Sequence, residues 1–151
     1  MPNFEPRDPD FEAKVRDSFG RQTAMQTLGA VMNRVSAGQV EIEMPYRVGL
    51  DQHQGVIHGG IVTAIIDTAC SHAAFSLCAP GTNVSTMEYK VNFVAPARGE
   101  RLVARGEVVR PGATVSVCKG DVIAYENGEA KLVATMLTTM MMVPGRPNLA
   151  N

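Results

Sequence analysis

Asp67 is the side chain in this sequence whose position most needs a chemical explanation. It is the only Asp, Glu, Lys or Arg between Asp51 and Glu88, and it stands inside an apolar-rich run from Ile61 to Cys78. Asp has poor helix propensity. A carboxylate taken out of water is kept only when it is paired, hydrogen-bonded or used in chemistry. Desolvation raises its pKa toward a value that suits a general base. The alternative is a structural acid bonded to Thr63 or Ser71, its i−4 and i+4 neighbours. The residues alone leave both readings open.

Upstream lies Leu50-Asp51-Gln52-His53-Gln54-Gly55-Val56-Ile57-His58-Gly59-Gly60. Two glycines at a helix start let a ligand approach the backbone closely. The free N–H groups there, at the positive end of the helix dipole, can polarise a carbonyl. The same glycines also suit a plain loop-to-helix junction. His58 either orients a water or a carbonyl, or caps the helix. His53 and His72 have no evident partner.

Other chemistries lack their patterns. His53, His58, Asp67 and His72 form neither HxxxH nor HExxH, so no metal is expected. Cys70 has no His at a diagnostic spacing, which argues against a Cys nucleophile. GxSxG and P-loop motifs do not occur. Cys70 and Cys78 stand eight residues apart on one predicted helix, about 12 Å along the axis and too far for a disulfide. With Cys118 they read as buried apolar side chains of a reducing compartment. The nine methionines, Met140-Met141-Met142 among them, read as core filler or an interface strand.

The elements that must position these groups follow from periodicity. Residues 1–9 read as a loose or docking tail. Phe11, Val15 and Phe19 mark one stripe of a short helix, with Asp8 or Asp10 as its cap. Leu28 to Val35 and Gln39 to Tyr46 read as a hairpin turning at Ala37-Gly38. In its second strand Val40, Ile42 and Met44 alternate with Glu41 and Glu43. The helix opened by Gly59-Gly60 is predicted to run to about Ala79 and stop at Pro80-Gly81. It is nearly apolar all round and therefore buried. Four strands follow: Val84–Val94, Arg101–Arg110, Val115–Tyr125 and Lys131–Met142, the last two joined by the hairpin signal Asn127-Gly128. The division is a tail and short helix over 1–27, one domain over 28–143 and a flexible tail over 144–151. The class is α+β, an antiparallel sheet of six strands wrapped around a central buried helix. Its outer face and edges are naturally covered by oligomerisation.

Composition excludes several partners. The chain has 151 residues, a formal net charge of −1, no Trp and 5% aromatics, so neither nucleic acid nor a membrane surface is indicated. The acidic, Pro-rich N-terminus does not support a signal peptide, and charged and polar residues interrupt the run from Ile61. A cytoplasmic location is the expectation.

His58-Gly59-Gly60, six residues and then Asp67 resembles the HGG-x6-D pattern of PaaI-like hotdog-fold acyl-CoA thioesterases. Ser85-Thr86-Met87-Glu88-Tyr89-Lys90-Val91-Asn92-Phe93-Val94-Ala95-Pro96-Ala97-Arg98-Gly99 resembles the strand-and-turn block after the helix in that family. The likeness covers about Leu28 to Met142. It implies hydrolysis of an acyl-CoA thioester without a cofactor. Asp67 would activate water or attack the carbonyl, and the Gly59 N–H would polarise that carbonyl beside His58 and Gly60. Gln52 stands where the family often has Asn, one methylene shorter. The assisting hydroxyl would be Ser71, Ser85 or Thr86. Lys90 and Arg98, with Arg101 and Arg110, are candidates for the CoA phosphates. The resemblance also implies a homodimer whose site takes Asp67 and Gln52 from different subunits, and a homotetramer built from such dimers. The competing classes are a hotdog hydratase or dehydratase and a non-catalytic acyl-CoA binder.

Overall fold

A computed structural model of the chain describes residues 3–145. In chain order the elements are α1 (Phe11–Gly20), α2 (Thr23–Leu28), β1 (Val31–Ser36), β2 (Gln39–Pro45), α3 (Gly59–Phe75), β3 (Thr82–Phe93), β4 (Arg101–Arg110), β5 (Val115–Glu126) and β6 (Glu129–Pro144). The strands form one antiparallel sheet in the order β1-β2-β4-β5-β6-β3. It packs around α3 in the hotdog arrangement. On β2, Val40, Ile42 and Met44 are buried. Glu41 and Glu43 point outward and pair across the sheet with Arg105 at 2.9 Å and Arg101 at 3.2 Å.

The depth at which α3 sits is set by two glycines. Gly106 on β4 lies opposite Gly120 on β5 in the ladder. A Cβ at Gly106 would stand 2.3 Å from the Ala69 carbonyl carbon, and one at Gly120 would stand 2.7 Å from Ile66 Cγ1. The helix backbone therefore rests almost directly on the sheet. Glycine inside a strand is the sequence signal for such close approach.

Several boundaries differ from those expected. Leu28, read as the start of a strand, ends the unforeseen helix α2, and β1 begins at Val31. Gly29 caps that helix with φ 68, and the Ala30 N–H returns to the Met25 carbonyl at 2.9 Å. Helix α3 stops at Phe75 rather than near Ala79. There the Ser76 hydroxyl donates to the Ala73 carbonyl at 2.7 Å and accepts the Gly38 N–H at 2.8 Å. Leu77 and Cys78 then tighten into i−3 bonds. Neither Asp8 nor Asp10 caps α1 through its side chain. Instead Asp8 accepts the Asp10 N–H at 2.9 Å and pairs with Lys14 at 3.1 Å. The segment before α1 is docked: Phe4 packs over Gly38 and near Leu77. Pro144 belongs to β6, and most of the predicted 144–151 tail lies outside the described residues.

β3 carries a bulge, with Thr86 opposite Met140 and Glu88 opposite Thr139. Met87 is the extra residue, so the alternation of faces slips by one. Thr86, Tyr89, Val91 and Phe93 consequently share the helix-side face, whereas Ser85 and Lys90 turn outward with Met141 and Leu137.

Candidate active site

Asp67 is half-buried on α3 and faces β3. The Thr86 hydroxyl donates to its Oδ1 at 2.8 Å. Thr63 and Ser71 are engaged elsewhere, donating to the Gly59 carbonyl at 2.8 Å and the Thr68 carbonyl at 3.0 Å. The acid is therefore not held by its helical neighbours. Burial raises its pKa above the usual 3.8, and the Thr86 hydrogen bond opposes that rise. Of the three candidate hydroxyls, Thr86 touches Asp67. Ser85 is exposed on the opposite face.

Replacing Thr86 by Val keeps the β-branched shape and removes the donor. For the activity that the resemblance implies, the expected result is a hydrolytic rate lower by about 10–100-fold, the worth of a hydrogen bond to a charged group. The acid limb of the pH–rate profile should also move to higher pH, because the bond that holds the Asp67 pKa down is gone. An unmoved limb would show that the ionisation of Asp67 does not govern the rate.

At the start of the same helix His58 is a cap. Its Nδ1 accepts the Gly60 N–H at 2.9 Å. The Ile61 and Val62 N–H groups both return to the His58 carbonyl. The Gly59 N–H has no partner among the described residues, so one donor is left aimed outward at the positive end of the helix. The Phe93 ring lies against Gly59, its Cζ 3.2 Å from where a Cβ would stand. Beside them is a cavity of about 200 Å³ lined by Gln52, Val56, Ile57, Gly59, Val62 and Phe93, among others. Gln52 and Gly59 thus meet on one cavity. The Gln52 amide bonds within its own loop, accepting the Gln54 N–H and donating to the Gln54 side chain at 3.2 Å.

Asp67 does not line that cavity. It lies eight residues along α3 from Gly59, about 12 Å by helix geometry. Arg98, in the turn after β3, and Lys90 are exposed and also lie off it. The histidine without an evident partner, His72, is buried and packed edge-on against Phe19 and Phe75. Its Nδ1 lies 2.9 Å from the Thr68 carbonyl and its Nε2 3.3 Å from the Ser18 hydroxyl. Burial lowers its pKa, so it serves as a neutral tie between α1 and α3. All three cysteines are buried and free, and burial pushes the Cys118 thiol up to about 12.

The thioesterase superfamily model matches residues 54–131, from the loop before His58 through the first residues of β6. The chain belongs to this superfamily. A Halobacterium salinarum relative that carries an esterase name is 39% identical over 119 residues, 76% of this chain and 78% of its own. The solved structure of a thioesterase family protein from Silicibacter pomeroyi is 47% identical, with a TM-score of 0.89 over 89% of this chain and 99% of that one. The medium/long-chain acyl-CoA thioesterase YigI of Escherichia coli K12 is 26% identical over 102 residues, 59% of this chain and 64% of its own. As a member of the superfamily the chain is a thioester hydrolase. Among the described residues no helix is long and apolar enough to cross a membrane.

Proposed function

We propose that the chain hydrolyses the thioester of a medium-chain or aryl acyl-CoA at a site shared by two copies. The observation that carries this reading is the separation of the two reactive features on α3. A free Gly59 N–H and a half-buried, hydroxyl-bonded Asp67 are eight residues apart. At about 12 Å they cannot serve one carbonyl within one copy, but Gly59 of one copy and Asp67 of another can. β3 offers the means of assembly. It pairs with β6 on one side only, and Met87, Tyr89, Phe93 and Val94 are exposed along it or just beyond it. A twelve-residue edge of this kind is a template for pairing with a second chain. A homotetramer would then cover the outer face.

In this site the Gly59 N–H binds the thioester oxygen, and Gln52 positions water or carbonyl. Asp67 takes the proton of a water that attacks the carbonyl carbon. The C–S bond breaks, the acid leaves with the new oxygen, and the CoA sulfur receives the proton. The same carboxylate can instead attack the carbonyl carbon directly, so that the C–S bond breaks, CoA thiolate leaves and a mixed anhydride forms. Water then opens the anhydride, restoring the Asp67 carboxylate and releasing the acid, and its proton goes to the thiolate. Thr86 holds Asp67 in either route. His58 fixes the helix start, Gly60 keeps the approach open, and Ser71 lies one turn beyond Asp67 on the same helix. Lys90 and Arg98 supply positive charge for the CoA phosphates. The donor is worth about 2.7–4 kcal/mol of transition-state stabilisation. A thioester is already activated, so no triad is needed. The likeness to YigI, a medium/long-chain acyl-CoA thioesterase, supports the acyl-CoA class.

Two measurements test the proposal. A panel of acyl- and aryl-CoA substrates, followed by thiol release, should show turnover. Binding without release would point to a carrier, and hydration of an enoyl-CoA with the thioester intact would point to a hydratase. Co-expression of Asp67→Asn with Gln52→Ala should recover about a quarter of wild-type activity. Half of randomly assorted dimers are hybrids with one intact site. No recovery would place both residues in one subunit.

A further inference from the structure

We propose that Phe93 is the residue that limits the size of the acyl group, its ring closing the cavity beside Gly59 to chains longer than medium length. The inference rests on the acyl-CoA reading above and adds a specificity residue to it. In that reading the Gly59 N–H holds the thioester oxygen, and Gly59 itself lines a cavity of about 200 Å³. Of the two groups attached to the carbonyl carbon, the acyl chain is the one this cavity suits. Among the described residues that line it, Gln52 alone has a polar side chain. The amides of the pantetheine arm would lose water there with one side chain to replace it, which is costly. An acyl chain needs no polar partner and gains from leaving water.

The volume sets the limit. An apolar cavity of about 150 Å³ holds one benzene molecule, so this one, at about 200 Å³, has room for roughly eight carbons at the same packing. Most of its walls are fixed. Ile57, Val62, Ala97 and Val133 are all buried, and the Ile57 N–H ties its loop to the Ala97 carbonyl at 3.0 Å. Phe93 differs from them in two ways. It is the one aromatic residue among the described lining residues and the largest side chain of the wall. It is also 54% exposed, with its Cζ 3.2 Å from where a Cβ on Gly59 would stand. The ring thus stands between the Gly59 donor and the surface. Trimming it lengthens the cavity without hollowing the core, and enlarging it shortens the cavity.

The test uses analogues of butanoyl-, octanoyl- and dodecanoyl-CoA in which a methylene separates the sulfur from the carbonyl, so that there is no thioester to hydrolyse. Calorimetry on the full chain reads their binding, and thiol release from the true acyl-CoA substrates is followed in parallel. An unlimited apolar site favours the longest chain, since each buried methylene adds affinity. The wild type should instead bind the octanoyl analogue at least about tenfold more tightly than the dodecanoyl one, the scale on which a filled pocket rejects excess methylenes. Phe93→Ala should reverse that order, and Phe93→Trp should move the preference down to the butanoyl analogue. Tyr89→Ala is the control. Tyr89 shares the helix-side face of β3 and is 46% exposed, but it does not line the cavity, so the wild-type order should persist. No binding of any analogue, or one order in the wild type and both Phe93 variants, would overturn the proposal. So would a reversal in Tyr89→Ala, which would trace the effect to the edge of β3. The expected order of binding without thiol release from any acyl-CoA would support the Phe93 limit and overturn hydrolysis.

Discussion

Asp67→Asn is expected to lower thioester hydrolysis by about 10²–10⁴-fold, the contribution of a positioned base, while making the folded chain more stable at neutral pH. The two effects share one cause. Burial holds the carboxyl pKa above its usual 3.8 in the folded state. Such a group contributes stability that is fully present below pH 3.8 and is lost as pH rises through the folded pKa. At neutral pH the ionised carboxylate is therefore a cost, and Asn removes it while its amide oxygen still accepts from Thr86. Thermal unfolding of both proteins at pH 7 and near pH 3 measures this directly. The variant should melt higher at pH 7, and that advantage should vanish at the lower pH. An inactive variant that is also less stable at pH 7 would make Asp67 a structural acid. Unchanged turnover would remove it from the mechanism altogether.

The second large effect is expected at Gly106. Its missing Cβ would stand 2.3 Å from the Ala69 carbonyl carbon and 2.5 Å from the Cys70 nitrogen, both helix backbone atoms that no rotamer change can move aside. Gly106→Ala must lift α3 off the sheet. Overpacking of this kind costs about 3 kcal/mol or more, or roughly 6–12 °C in Tm for a chain of this size. Because Asp67 lies two residues before Ala69 on that helix, the lift also shifts the carboxylate relative to Thr86, and activity should fall with stability. Gly20→Ala is the control. A Cβ there meets nothing within 4 Å, and the backbone is not left-handed, so its melting temperature should hold or rise slightly. Equal behaviour of the two variants would show that the glycine pair does not set the helix depth.

Much of this molecule is legible in its sequence. The alternation of Val40, Ile42 and Met44 with Glu41 and Glu43 fixes a half-buried strand, because a strand turns successive side chains to opposite faces. The apolar girth of residues 61–75 fixes a buried helix. Arg101–Arg110 was placed to the residue. The signals missed were either too short to show a period or made between distant segments. Gly29 stops a six-residue helix that has too few turns to show a period. Ser76 ends α3 by bonding to a turn remote in sequence. Gly106 and Gly120 each look unremarkable until the register sets them opposite one another.

The candidate site divides along the same line. The chain order alone marked Asp67 as improbable and His58-Gly59-Gly60 as a helix start open to a ligand, since both are properties of neighbours in sequence. Which hydroxyl holds the acid was decided only in three dimensions. Ser71 is spent on a helix carbonyl, Ser85 faces outward, and Thr86 reaches Asp67 across the gap between α3 and β3. The bulge at Met87 likewise turns Phe93, rather than its neighbours, toward Gly59. Contacts between distant segments depend on strand register and helix depth, and those are set by how the whole core packs.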